Sequence, residues 1–292
     1  MKGLIFFLTC ACATTAMAQN ELRSSLETTY AAWREAMIRK DGSAWNRVTA
    51  EHRRVEVRNR ILSAKKPFPG SVFELPAAPP SLQGLTFLQA LEKGPTAKAA
   101  YFGKVDFGIG GTPSDNLLVL SFVRGNAGWL YDTADFVNLS ALPKVRKELA
   151  AGDLKYLKET PETKPDGKVP STPIAVQAVK YVAKVYVFCP GREVQVQMNK
   201  ISRHRFANAK EAEIVNGGAV DGPNEIQYTI KKLPGGTGKE AMTIRVYLLS
   251  TVPGVIPIKA FEYQIAAGEK PKASNTENFI VTQETAAKLQ GR

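Results

Sequence analysis

Residues 22–63, LRSSLETTYAAWREAMIRKDGSAWNRVTAEHRRVEVRNRILS, decide the fold. Apolar side chains fall at Leu22, Leu26, Tyr30, Trp33 and Met37, steps of three and four that keep one stripe on one helix face. Lys40, Asp41 and Gly42 interrupt it. Gly42 suits the left-handed conformation that ends a helix, and Ser43 suits the cap of the next one. A second stripe follows at Trp45, Val48, His52, Val55 and Leu62, with arginines on the remaining faces. Neither helix can bury its stripe alone, so another layer must cover both.

Upstream, residues 1–18 have the outline of a signal peptide. Lys2 starts it, the apolar run is Leu4–Leu8, and Ala16-Met17-Ala18 forms a small-residue cleavage site. The run is too short for a stable membrane anchor. Cys10 and Cys12 raise a lipoprotein signal as the second reading. We therefore expect an exported chain, periplasmic or secreted, with no transmembrane segment after cleavage. Cys189 is then the only cysteine left, so no internal disulfide is available. It follows Val185-Tyr186-Val187-Phe188, a strand pattern that predicts a buried, inert thiol.

The formal net charge is +12. Removing Lys2 with the leader leaves +11. Residues 34–66 concentrate the excess, with ten Lys/Arg against Glu35, Asp41, Glu51 and Glu56. The simplest reading is a solvated helix face laced with Glu–Arg pairs. The alternative is attraction to an acidic partner such as an anionic glycan. No nucleic-acid-binding motif accompanies the charge, so no specific nucleic-acid partner is expected.

Downstream, prolines at 67, 69, 76, 79 and 80 preclude long regular elements. A short helix is expected through Leu85, Leu88 and Leu91. Three strands follow, at residues 99–107, 117–124 and 129–137. The middle one is nearly all apolar, as in a strand buried on both faces or on a curved sheet. Gly125-Asn126-Ala127-Gly128 signals a hairpin. Residues 142–157 read as a short basic helix. Residues 158–173, with four prolines and no apolar periodicity, read as an extended spacer. Beyond it the period switches to two. Strands are expected around 181–188, 194–199, 205–215, 226–231, 242–248, 259–265 and 279–282, a pattern that argues a β-sandwich.

The Tyr–Trp helix, the turn Lys40-Asp41-Gly42-Ser43-Ala44-Trp45, the second helix and the hairpin with Gly128-Trp129-Leu130-Tyr131-Asp132 together resemble the NTF2-like (SnoaL-type) cone fold over residues 22–140. The resemblance implies a curved antiparallel sheet wrapped on a helix, with a pocket at the open end. Residues 174–292 resemble an immunoglobulin-like sandwich without its disulfide. The expected fold class is therefore an α+β domain (19–157) followed by an all-β sandwich (174–292).

Chemistry is sparse. Two histidines and one mature cysteine leave no usual Cys/His zinc cluster. His-Glu-x-x-His and Gly-x-Ser-x-Gly motifs are absent. Gly235-Gly236-Thr237-Gly238-Lys239 fails the phosphate-loop pattern at both ends and reads as a flexible hairpin. Gly108-Ile109-Gly110-Gly111-Thr112-Pro113 fails as a dinucleotide loop. We expect no cofactor. His52 lies on the apolar stripe, where a desolvated imidazole suits a general base. Asp132, on the face of Leu130 and Phe136, is its inward partner. The alternative is a core histidine and an edge aspartate. Tyr30, Trp33 and Tyr101 are candidate pocket-lining, ligand-binding residues, with core packing as the plainer reading. His204, beside Arg203 and Arg205, reads as an exposed turn.

Three functions are weighed. The first is an exported, non-catalytic binding module for a small-molecule or glycan ligand. The second is an isomerase or hydro-lyase using His52 and Asp132. The third is an envelope assembly protein acting through the sandwich edges.

Overall fold

The computed structural model describes residues 8–106 and 113–292. The first seven residues of the expected leader, Phe107 and most of the Gly108–Pro113 segment lie outside the described residues. The architecture is mixed, with most helices in the first half and antiparallel sheets in both. Two compact units result. One comprises residues 1–54 and 72–173, the other 55–71 and 174–292.

In the first unit, helix α1 (Leu8–Arg39) carries the stripe read from the sequence. Leu26 and Tyr30 are buried, and Leu22 and Trp33 pack on the same cluster. The turn after α1 differs in detail from the expectation. Lys40, not Gly42, takes the left-handed backbone at φ 55°. Asp41, not Ser43, caps α2 (Gly42–Val48), its carboxylate accepting from Ala44 N at 2.9 Å. Lys40 can adopt this conformation because Asp41 N returns to Ala36 O at 2.9 Å and closes the helix end.

The expected second helix is two. Between α2 and α3 (Glu51–Ser63) the chain straightens at Thr49-Ala50. Thr49 bridges Tyr131 in parallel, and Ala50 N donates to Tyr131 O at 2.8 Å. These residues satisfy backbone groups that an edge strand would otherwise leave open.

The sheet is a meander, β1 (Thr86–Lys93), β2 (Thr96–Val105), β3 (Ser114–Gly125) and β4 (Gly128–Asn138), paired in that order. β1 replaces the helix expected through Leu85, Leu88 and Leu91. Its pairing with β2 slips at Leu88, a one-residue bulge that reverses the alternation. Phe87 and Ala90 therefore both pack towards α1 although they are three apart, while Leu88 packs on the opposite face. The leucines three apart do not share one face, since Leu85 packs in the α1 cluster and Leu88 on the other side. β3 is buried on both faces, with Leu118, Leu120 and Phe122 towards α1. Leu117 and Val119 meet Leu139, Leu149 and Leu157 on the other side.

That second layer comes from α4 (Pro143–Ala150) and α5 (Lys155–Glu159), two short helices where one was expected. The segment read as a spacer is only partly one. Thr163 is buried and donates to Leu157 O at 2.8 Å, and Gly167 N donates to Thr96 Oγ1 at 3.0 Å. These bonds fasten the chain to the outer face of the sheet up to residue 167.

The second unit is β-rich. One sheet has the order β11-β10-β5-β8 and the other β12-β9-β6-β7. The strands are β5 (Val182–Phe188), β6 (Arg192–Met198), β7 (Ser202–Ala207), β8 (Lys210–Ile214), β9 (Gly222–Lys232), β10 (Met242–Leu249), β11 (Ile258–Ile265) and β12 (Ser274–Val281). Residues 205–215, expected as one strand, split into β7 and β8, with Asn208 left-handed at φ 50° between them. Alternate residues of both sheets fill one core, including Val185, Val194, Tyr228, Ile244 and the C-terminal helix α6 (Gln283–Leu289) through Leu289. The later part of α3 belongs to this unit. Asn59 is buried, donates to Ile174 O at 2.8 Å and accepts from Val176 N at 3.0 Å. Ser63 Oγ accepts from Gly217 N at 2.9 Å.

Candidate functional site

His52 and Asp132 do meet. His52 Nε2 lies 2.8 Å from Asp132 Oδ1, with the imidazole 8% and the carboxylate 15% exposed. Two local features make the pair. The Thr49–Tyr131 bridge sets the first turn of α3 beside β4. Asp132 is also the extra residue of a bulge, since Ser121 faces Thr133 and Phe122 faces Tyr131. The bulge corrects the inward placement expected for Asp132. Trp129 and Tyr131 pack in the α1 cluster, whereas Asp132 lines a groove with Thr133 and Asp135.

This groove, about 400 Å³, lies on the outer face of the sheet. Its floor includes Thr96, Lys98, Ser121 and Val123 of β2 and β3, and the 161–170 segment forms its rim. Lys98 Nζ donates to Glu162 O at 2.6 Å and joins floor to rim. Ser121 is 7% exposed, and its Oγ has no hydrogen-bond partner. A buried hydroxyl without a partner costs free energy unless something else meets it. His52 does not line this groove. An acid–base mechanism on one substrate needs both groups to face it. As arranged, the pair fastens α3 to β4 and presents only Asp132 to the groove.

The aromatic candidates are core. Trp33 stacks on Tyr131 with centroids 3.9 Å apart, and Tyr30 stacks on Trp33 at 5.7 Å. Tyr30 OH donates to Pro80 O at 2.8 Å, and Tyr101 OH donates to Glu27 Oε1 at 3.0 Å. Burial pushes both phenols above their ordinary range, and the Glu27 carboxylate adds to this at Tyr101. None of the three lines the groove.

His204 corrects the exposed-turn expectation. It is 7% exposed on β7, its Nδ1 lies 2.6 Å from Glu213 Oε2, and its Nε2 lies 2.7 Å from Ser202 Oγ. Ser202 Oγ accepts from Asn216 N at 2.8 Å. The order serine–histidine–carboxylate is that of a hydrolytic triad, but Ser202 is fully buried and does not line the clefts that His204 lines. The relay ties an edge strand of one sheet to an edge strand of the other. Its signal in the sequence was the alternation Ser202, His204, Phe206, one inward face hidden by two polar residues. Ser121 was missed for a related reason: a hydroxyl inside the apolar run 117–123 has no visible role until its surroundings are known.

Hydrogen bonds tie the Gly235–Lys239 hairpin to its surroundings. Buried Arg192 donates to Gly238 O at 2.8 Å and to Glu240 O at 2.5 Å. Glu240 accepts from Thr237 N at 2.6 Å and Oγ1 at 2.8 Å, which holds its carboxyl down to about 2. Cys189 is fully buried, and burial raises its thiol pKa, as expected for an inert cysteine. Among the described residues no group of three or more His, Cys, Asp or Glu is placed to hold a metal, and no helix is long and apolar enough to cross a membrane.

Comparison with protein-family models, with curated proteins and with solved structures finds no match for this chain.

Proposed function

We propose that the protein is an exported, non-catalytic binding module, an NTF2-like α+β domain followed by an immunoglobulin-like sandwich, and that its outer-face groove holds a small polyhydroxylated ligand. The observation that carries this reading is Ser121 Oγ, buried in the groove without a partner. A ligand hydroxyl placed there would satisfy it. Asp132, Thr133 and Asp135 accept from neighbouring hydroxyls, and Lys168 on the rim donates to them. The volume falls within the ordinary range for small-ligand sites. Four carboxylates (Asp132, Asp135, Glu162, Asp166) against three lysines (Lys98, Lys164, Lys168) favour a neutral saccharide over an anionic glycan.

The test is calorimetric titration of the full chain with a panel of neutral mono- and disaccharides, repeated on Ser121→Ala. Saturable binding that weakens in the variant supports the reading. A panel that gives no saturable heat, or binding indifferent to Ser121, removes it.

A further inference from the structure

The second unit has a cleft that the saccharide groove does not involve. It measures about 470 Å³, and its wall includes Glu56, Arg60, Lys184, Arg203, His204 and Glu213. Glu56 and Arg60 stand one turn apart on α3. Lys184 comes from β5 and Arg203 from β7, so each sheet contributes a cation.

The two carboxylates of this cleft are engaged. Glu213 Oε2 is held by His204 at 2.6 Å, and Glu56 Oε1 accepts from Arg60 Nη2 at 3.1 Å. That contact uses one of the five N–H donors of Arg60. Lys184 and Arg203 make no hydrogen bond or ion pair with an acidic side chain among the described residues. Three permanent cations therefore face two carboxylates, and the unspent donors belong to the cations. A guanidinium fork matches a planar carboxylate or two phosphate oxygens, and an ammonium supplies a point charge beside it.

We propose that this cleft is an oxyanion-binding site, taking a phosphate group or the carboxylate of an acidic sugar between Arg203, Lys184 and Arg60. Its ligand class differs from that of the first-unit groove because the sign of the uncommitted charge differs. The basic excess read from the sequence in residues 34–66 thus gains one specific use, at Arg60.

The experiment is titration of the full chain with inorganic phosphate and, in a parallel arm, with glucuronate, at fixed ionic strength and followed by calorimetry. Saturable binding in either arm is expected. Which arm binds more tightly distinguishes phosphate from carboxylate. Arg203→Gln with Lys184→Gln, two accessible substitutions, should weaken binding at least about tenfold, the loss expected for removing charge-assisted contacts. Ser121→Ala should leave it unchanged, which separates this site from the saccharide groove. Absence of saturable binding in both arms overturns the proposal, as does binding that survives the double substitution.

Discussion

His52 Nε2 sits 2.8 Å from Asp132 Oδ1 although the two residues are 80 positions apart. A bulge turns Asp132 out of the α1-facing row, and an edge bridge at Thr49 brings α3 alongside it. The contact is thus made by two departures from regular structure. Asp132→Ala leaves a buried imidazole nitrogen unpaired and should destabilise the first unit by about 1–3 kcal/mol. Asp132→Asn keeps a carbonyl acceptor and should recover much of the loss. All three tryptophans, Trp33, Trp45 and Trp129, lie in this unit, so urea unfolding followed by tryptophan fluorescence reads it selectively. Equal midpoints for the two variants would contradict this account.

Ser121 should behave oppositely. Its hydroxyl has no partner to lose, so Ser121→Ala should leave stability unchanged or raise it by up to about 1 kcal/mol. Saccharide binding should fall in the same variant. A clear loss of stability in urea would show that the hydroxyl is already satisfied within the fold.

Asn59 makes two hydrogen bonds to the backbone of Ile174 and Val176 from a position 1% exposed. Asn59→Ala strands the buried Val176 N–H, at a cost of about 1–3 kcal/mol, while the part-buried Ile174 carbonyl can turn to water. Far-ultraviolet circular dichroism should show a lower melting point for the β-rich transition. No change would mean that the start of the second unit is held by other contacts.

Gly218 combines φ 60° with a close approach, since a β-carbon there would lie 2.3 Å from Tyr181 O. Gly218→Ala must shift backbone, and the left-handed conformation alone costs about 1–2 kcal/mol. A marked drop in melting temperature is expected. Gly222, also at positive φ but with open space around it, should tolerate alanine better.

The pH dependence of the second unit should pass through Glu213. The hydrogen bond from His204 holds its carboxyl below the ordinary 4.5, and the charges of His204 and Arg60 act in the same direction, against burial. A folded pKa below the unfolded one gives stability that is present above about pH 4.5 and is lost as pH falls through the folded value. Glu213→Gln should flatten this acid limb. It should not abolish it, because Glu240 is also held low, chiefly by the Thr237 N–H. A slope unaltered by the substitution would assign the acid sensitivity elsewhere.

Much of the element plan was legible because it rests on local periodicity. The Leu26–Tyr30 stripe, the largely apolar β3 and the hairpin at Gly125–Gly128 appear in the structure as read. Two of the misreadings share one cause. At Leu88 and Asp132 an inserted residue shifts the alternation, so a leucine strand imitates a helix and an outward aspartate seems inward. The candidate pair was found from composition, because histidines are few. The groove around Ser121 was not found, because its rim comes from residues that composition marks as spacer.

The order of amino acids determined which segments would be helix or strand and which faces would be apolar, since burial of a periodic stripe is decided within a few residues of chain. Tertiary structure decided where the polar exceptions went. Asn59, Ser121, Ser202 and His204 are buried by chain arriving from distant positions. The free energy of a buried polar group depends on the partner it finds there, or on finding none. A one-dimensional pattern records the polar residue and not the partner, so the chemistry of both clefts emerged only with the fold.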